Sequence, residues 1–395
     1  MTIKKHSVIS IAWLFYFIIL LNFYNIPGIQ TFSLIGIVIL TLFCIPYNIR
    51  KSNLYISKWY FVFFCYMTIS FIWAISNEIN TLYEGVFRIL CFVICLDLYC
   101  DSEKNTRYMI NVILFAILTY AIHIIILTPI SDYGTLNVGS VVGDQRNYVG
   151  QVCSLGSVIA FIRLMEQKGI QAKIPYIFYI AITYFVACIS GSRKALLILP
   201  LSIIVYTYTR NSLNKKIKYL FLLIGIFAVC LTIFAQIPYF QDFFGTRLLA
   251  IFDESIYDGS IEGRDYLQAV ALNLFYEHPI LGAGCDNFRI YLVSLGYPRA
   301  VYAHNNYLEI MANYGLLGLL LYYRCHIRNI VKSVRWGFDS VYTKLIFVFL
   351  LANMFMDYGQ VSYQTNMYIY MLVVICSSVK WMKTNNSIKK REDDY

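Results

Sequence analysis

The sequence predicts an all-α, polytopic membrane protein: about twelve transmembrane helices and one long extracytoplasmic loop containing short helices. Three observations carry that expectation. Hydrophobic residues make up 59% of the 395 positions, charged residues only 14%, and mean hydropathy is +0.61; soluble domains carry about 25% charged residues. The hydrophobic residues come in runs, each near the ~20 residues that cross the hydrocarbon layer. Most of the 32 basic residues fall in the joints between alternate runs, where cytoplasmic loops are rich in Lys and Arg.

In chain order the runs lie at roughly 8–26, 30–48, 59–76, 84–100, 108–129, 149–165, 175–191, 193–209, 218–236, 305–323, 341–358 and 366–382. A segment in lipid must satisfy its own backbone polar groups, so each run is read as a helix. The first run has no small-residue cleavage site and leads into the second, so it is read as a span and not a removable leader. With the N-terminus inside, the cytoplasmic joints hold Lys4 and Lys5; Arg50, Lys51 and Lys58; Lys104 and Arg107; Arg163, Lys168 and Lys173; Arg210, Lys215, Lys216 and Lys218. They continue with Arg324, Arg328, Lys332 and Arg335; Lys344; then Lys380, Lys383, Lys389, Lys390 and Arg391, which leaves both termini cytoplasmic. The expected organisation is one integrated domain. It has an N-terminal bundle of about nine helices at 1–236, an outer loop with an amphipathic helix at 237–304, and C-terminal helices with a cytoplasmic tail at 305–395.

The same composition excludes other classes. A net charge of +10 could point to nucleic acid, but the charges sit in short clusters between apolar runs. Of the eleven cysteines, Cys65, Cys91, Cys95, Cys188, Cys230 and Cys376 lie inside apolar runs, and there is no CxxC pair or ligand-spaced Cys/His cluster. They read as small buried thiols, and no metal site is expected.

The basic residues left at the outer side are Arg88, Arg146, Arg193, Lys194, Arg247, Arg264, Arg289 and Arg299. Inside bias does not explain them, and arginine offers a rigid fork of donors suited to phosphate or carboxylate. The plainer reading is local pairing: Arg88 has Glu84 four residues before it, and Arg264 lies between Glu262 and Asp265. Between 237 and 304 the sequence GRDYLQAVALNLFYEH reads as a helix over 264–277, with Leu267, Val270, Ala271, Leu274 and Phe275 on its apolar side and Pro279 ending it. The following Gly282 and Gly284 make a turn.

Three short stretches place polar groups at helix mouths. HNNYLEIMANYG puts His304 just before a helix whose first amides Asn305 or Asn306 can cap. His304 and Tyr307 share a face there, and the positive helix end favours a neutral imidazole able to take a proton. The alternative is a histidine that only hydrogen-bonds at the interface. GSRKALL puts Ser192, Arg193 and Lys194 at a very short outer junction, where they either meet a ligand or snorkel. GDQRNYVGQ puts Arg146 and Asn147 before another outer helix start. Gly315 and Gly318 read as close-packing residues within one continuous span.

Taken in order, GSRKALL, GRDYLQAVALNLFYEHPILGAGCDNF and HNNYLEIMANYGLLGLLLYY resemble the shared region of the O-antigen ligase and O-antigen polymerase superfamily, over roughly 185–325. The resemblance implies a GT-C-like membrane glycosyltransferase that needs no metal or other cofactor, in the bacterial cytoplasmic membrane with its active site outside. Its donor would be a glycan on undecaprenyl pyrophosphate and its acceptor a glycan or lipid A–core, with a flippase and a chain-length regulator as further partners. Arg193 and Arg264 match the family arginines that would hold the pyrophosphate, and His304 matches the family histidine that would activate the acceptor hydroxyl. Arg88, Arg146, Asn147, Lys194, Asn305, Tyr307 and Glu309 would be further substrate contacts. A repeat-unit polymerase is expected ahead of a ligase. A flippase or secondary transporter would also suit twelve spans, but it calls for polar residues near the midplane and interrupted helices, neither of which is evident.

Overall fold

The computed structural model describes residues 2–23, 26, 28–44, 54–76, 81–135, 137–209, 221, 225 and 259–381. Among these there are thirteen α-helices and no strand. They are α1 (Thr2–Asn22), α2 (Ile29–Cys44), α3 (Tyr55–Ile69), α4 (Thr81–Tyr99), α5 (Glu103–Leu127), α6 (Arg146–Glu166), α7 (Ile174–Ile189) and α8 (Arg193–Tyr208). After a gap in the description come α9 (Gly259–Glu277), α10 (Asn287–Ser294), α11 (Asn306–Arg335), α12 (Val341–Asp357) and α13 (Asn366–Ser377). The expected runs from 8–26 to 193–209 each coincide with one of α1 to α8. The run at 218–236 lies outside the described residues except for Phe221 and Gly225, both helical. Arg50, Lys51, Arg210, Lys215, Lys216, Lys218, Arg247, Lys383, Lys389, Lys390 and Arg391 also lie outside them.

Tyr55–Ile72, Glu103–Leu127 and Arg146–Glu166 are long and apolar enough to cross a membrane, and shorter apolar helices occupy Val8–Asn22, Thr31–Thr41, Ile174–Ile189 and Asn366–Lys380. Helix starts follow side-chain capping. Ser102, Ser192, Asn305 and Ser340 each accept a hydrogen bond from the first turn of α5, α8, α11 and α12. Pro200 inside α8 cannot bond the carbonyl of Leu196. The hydroxyl of Tyr184 donates to that carbonyl instead, at 2.7 Å, so the orphaned group stays satisfied.

Helix α6 is central and packs against α5, α7, α8 and α12. Its small residues allow this: a side chain at Gly150 would overlap Ser190 and Ala195, and one at Gly156 would overlap the hydroxyl of Tyr179. The junction of α7 and α8 is thereby drawn onto the start of α6. At one end of the bundle α4, α6 and α13 finish while α5 and α12 begin. That end is tied by Lys380 to Asp97 and by Lys344 to Glu166, each at 2.8 Å. At the opposite end α6, α8, α11 and α13 begin and α12 finishes.

Helix α9 starts five residues earlier than the amphipathic pattern predicts, at Gly259. Its Leu267, Val270, Ala271 and Leu274 are buried with Phe288, Leu292, Ala303 and Ala312 in a small second core. The helix therefore packs along α11 and holds the 280–304 segment against the bundle.

Helix α11 departs from the expected span at 305–323. It runs on to Arg335, because Cys325, His326, Asn329 and Ser333 keep a buried stripe after the hydropathy falls. It is also interrupted: Gly315 has φ 63° and ψ −168°. The turn at 279–284 lies in this break. Leu316 N donates to Pro279 O (2.9 Å), Ala283 N to Ala312 O (2.9 Å) and Gly284 N to Asn313 O (2.8 Å). Backbone groups freed by the break thus find partners in the turn.

Candidate functional site

His304 precedes α11 in a left-handed backbone conformation, φ 55°, which is rare for a residue with a side chain. The conformation is held on both sides. Asn305 Oδ1 accepts from the amides of Tyr307 (3.0 Å) and Leu308 (3.2 Å). Glu309, fully buried, accepts from Ala303 N at 2.6 Å. The imidazole lies 4.2 Å from the ring of Tyr302, centroid to centroid. Its Nδ1 is sealed from solvent and has no hydrogen-bond partner, so proton exchange with a ligand would pass through Nε2. Burial, followed by the charges of Arg264 and Lys194, pushes the imidazole pKa down to about 4, so it is neutral at pH 7.

Those two cations come from α9 and α8. Arg193 is the first residue of α8, and its charge and that of Arg264 both bear on Lys194. Lys194 reaches across to the end of α12, where Nζ stands 4.6 Å from the ring centre of Tyr358. A side chain at Gly359 would overlap the end of the Lys194 chain. Because only a flexible side-chain end would have to move, Gly359→Ala should leave the fold intact and displace the ammonium. If Lys194 holds the pyrophosphate that the resemblance implies, the expected result is an unchanged melting temperature in detergent with weaker binding of inorganic pyrophosphate, read by calorimetry.

Arg146 is buried at the start of α6 and donates to Gly134 O at 3.4 Å, with Asn147 half-buried beside it. The 144–146 segment also meets the site through Gln145, whose Oε1 accepts from the Tyr302 hydroxyl at 3.3 Å. Tyr307 is committed elsewhere: its hydroxyl donates to Met354 O (2.8 Å) and its ring stacks on Tyr323 at 4.8 Å. Asn306 ties the start of α11 to the α12–α13 connection, accepting from Ser362 N and Tyr363 N. Arg88 pairs with Glu84 on its own helix at 3.4 Å and is exposed. Among the described residues, none of the contacts joining the other groups reaches it.

Several groups at this end were not singled out from the sequence. Tyr302 is the hub: the charges of Arg264, Glu309 and Arg289 act on its hydroxyl, which donates to Gln145. Asp286 is the other non-glycine residue with positive φ (57°) among the described residues. Burial raises its pKa to about 6, against the opposing charge of Arg289 3.3 Å away. Arg289 Nη2 in turn donates to Gln364 Oε1 at 3.5 Å. The available signal was modest: Asp286 and Arg289 are one helical turn apart, and Gln360 and Gln364 lie in a short polar joint between two apolar runs. Among the described residues no cluster of His, Cys, Asp or Glu is placed to hold a metal ion.

The fold and site define a helical membrane protein with a group of cations beside one neutral histidine at one end of its bundle. Residues 178–323 match the family model described as O-antigen ligase, close to the 185–325 stretch of the resemblance, and support the O-antigen ligase and polymerase superfamily for this chain. Glycan processing of the ligase or polymerase type follows in general terms. No curated protein matches the chain.

Proposed function

We propose that this chain is an integral-membrane glycosyltransferase that takes a glycan from undecaprenyl pyrophosphate and joins it to another glycan as a repeat-unit polymerase. The reading includes twelve spans, both termini in the cytoplasm, the 237–304 segment outside and the reaction at the outer face of the bacterial cytoplasmic membrane. The single observation that supports it best is the convergence of cations on the neutral His304: the charges of Arg264 and Lys194 bear on it, and those of Arg264 and Arg193 bear on Lys194.

In the proposed step an acceptor hydroxyl attacks the anomeric carbon of the donor sugar. The bond from that carbon to the phosphate oxygen breaks, and its electron pair leaves with the lipid pyrophosphate. Arg193, Lys194 and Arg264 stabilise the charge that grows on this leaving group. The hydroxyl proton passes to His304 Nε2. Arg146 and Asn147, at the start of α6, are further substrate contacts, and Asn305 and Glu309 hold the histidine loop. Tyr307 and Arg88, with their partners described above, contribute to structure before substrate.

Arg193→Ala and Arg264→Ala, each well expressed in cells lacking the native protein, should reduce high-molecular-weight glycan, with turnover falling by about 10²–10³-fold. Undiminished glycan from both would remove the assignment. The ligase description of the matching family favours a second reading, with the same donor chemistry and lipid A–core as acceptor. Supplying purified protein with lipid-linked glycan, with and without lipid A–core, separates the two.

A further inference from the structure

We infer that the turn at 279–284 lies in the membrane, with lipid acyl chains covering Ile280 and Leu281, at the end of the bundle that carries His304. The inference rests on the membrane part of the reading above and not on its chemistry. It moves a stretch of the expected outer loop at 237–304 from water into lipid.

The backbone of the turn is satisfied in the way lipid demands. Away from water, irregular backbone is tolerated only where protein groups take up its polar atoms. Every carbonyl from Pro279 to Ala283 accepts from a protein donor. Pro279 O accepts from Leu316 N (2.9 Å) and Ile280 O from Leu317 N (3.2 Å). Leu281 O accepts from the Tyr66 hydroxyl (3.1 Å), Gly282 O from Trp73 Nε1 (3.2 Å) and Ala283 O from Ile75 N (3.3 Å). The donors come from α3, from the chain just after it and from the break in α11. A loop bathed in water has no need of this, because solvent can serve its carbonyls.

The side chains agree with the backbone. Ile280 is 68% exposed, and Ile72, the last residue of the span Tyr55–Ile72, is 81% exposed. The hydrogen bonds above set their segments side by side, and Ile75, Leu281, Leu316 and Leu317 are exposed there too. The stretches that supply this surface, 59–76, 278–285 and 310–323, contain no Asp, Glu, Lys or Arg. A surface in water mixes charge among its apolar groups and seldom carries so wide an apolar patch. This patch also continues along the α3 span through the exposed Ile69. The lipid around that span therefore reaches the turn.

The course of α11 relates the turn to the site. Asn306 Nδ2 donates to the Tyr323 hydroxyl at 2.9 Å, and the Tyr307 ring stacks on that of Tyr323. An unbroken helix would set 306 and 323 roughly 25 Å apart. The chain thus doubles back at Gly315, with the turn packed at the apex. His304, next to Asn306, is level with Tyr323 and so lies deeper in the bundle than the immersed turn.

The test is fluorescence quenching on the full chain reconstituted in phosphatidylcholine vesicles. Ile280→Cys carries an NBD label, in a background where each cysteine that labels in the native chain is replaced by Ser. Ile69→Cys, on the α3 span, and Arg299→Cys, exposed in the same outer segment, are the lipid and water references. The quenchers are doxyl-labelled phosphatidylcholine in the bilayer and iodide in the buffer. The label at 280 should lose as much fluorescence to doxyl lipid as the label at 69 and be equally protected from iodide. Iodide quenching at 280 that matches 299 overturns the inference. So does a label sheltered from both quenchers, which would mean that protein, a second copy included, covers the turn. Leu281→Cys, also at an exposed position, takes its place if Ile280→Cys does not fold. A label at 69 that is open to iodide would instead sink the membrane reading of α3, so the two failures are told apart.

Discussion

His304→Ala is expected to lower turnover by about 10²–10⁴-fold while leaving donor binding near its native level. The argument starts from the backbone. Positive φ at a residue with a side chain costs about 1–3 kcal/mol and persists only where neighbours enforce it. Here Asn305 caps the helix on one side and Glu309 grips Ala303 on the other. The imidazole is thereby held against Tyr302, with Nδ1 sealed and Nε2 remaining for exchange. A base acts as the proton leaves, so its loss falls on kcat and not on the affinity for the ground-state donor. Equal loss of donor affinity, measured by binding of the lipid-linked glycan, would show His304 to be a binding group.

The same residue sets the pH dependence. Burial and the charges of Arg264 and Lys194 lower its pKa to about 4, and the competent form is the neutral one. Activity should therefore hold from neutral pH down to about 5, with the acid limb of kcat/KM near 4 and not near the ordinary histidine value of about 6.5. Lys194→Gln removes one of the positive neighbours that oppose protonation, so the limb should move towards higher pH. A limb that stays in place would mean another group titrates there.

Hydropathy made α1 to α8, α12 and α13 legible, because a long unbroken apolar run with few charges reads as a buried helix whose turns are satisfied within it. The amphipathic α9 and the cap at Asn305 were legible for a similar reason, as both are local patterns. The mouth residues Arg193, Arg264 and His304 stood out because they were polar where apolar residues were expected. Asp286, Arg289, Gln360 and Gln364 did not. An ion pair one helical turn apart looks like surface chemistry until the fold buries it, and a short polar joint looks like any other connection. The break in α11 was hidden more deeply. A glycine in an apolar run suits close packing, and only the position of a distant turn distinguishes packing from a positive φ.

That break leads to the second large effect: Gly315→Ala should destabilise the protein by on the order of 3 kcal/mol or more. Two costs add. The backbone at φ 63° and ψ −168° is open to glycine and strained for any residue with a Cβ. The added methyl would also run into the backbone of Ile280 and the amide of Gly282, which cannot move as a side chain can. Relief would require the 279–284 turn to leave the break, giving up the bonds from Leu316 to Pro279 and from Gly284 to Asn313. Each would abandon a backbone group in a buried place, at about 1–3 kcal/mol. The turn also leads directly into Asp286 and α10, so its displacement would disturb that segment as well. Gly85→Ala provides the comparison. Its added methyl meets nothing within 4 Å, at an ordinary helical φ, so the damage should be far smaller. Thermal unfolding of the two variants in the same detergent should rank Gly315→Ala well below Gly85→Ala, and an equal or reversed order would mean that the break does not hold the turn.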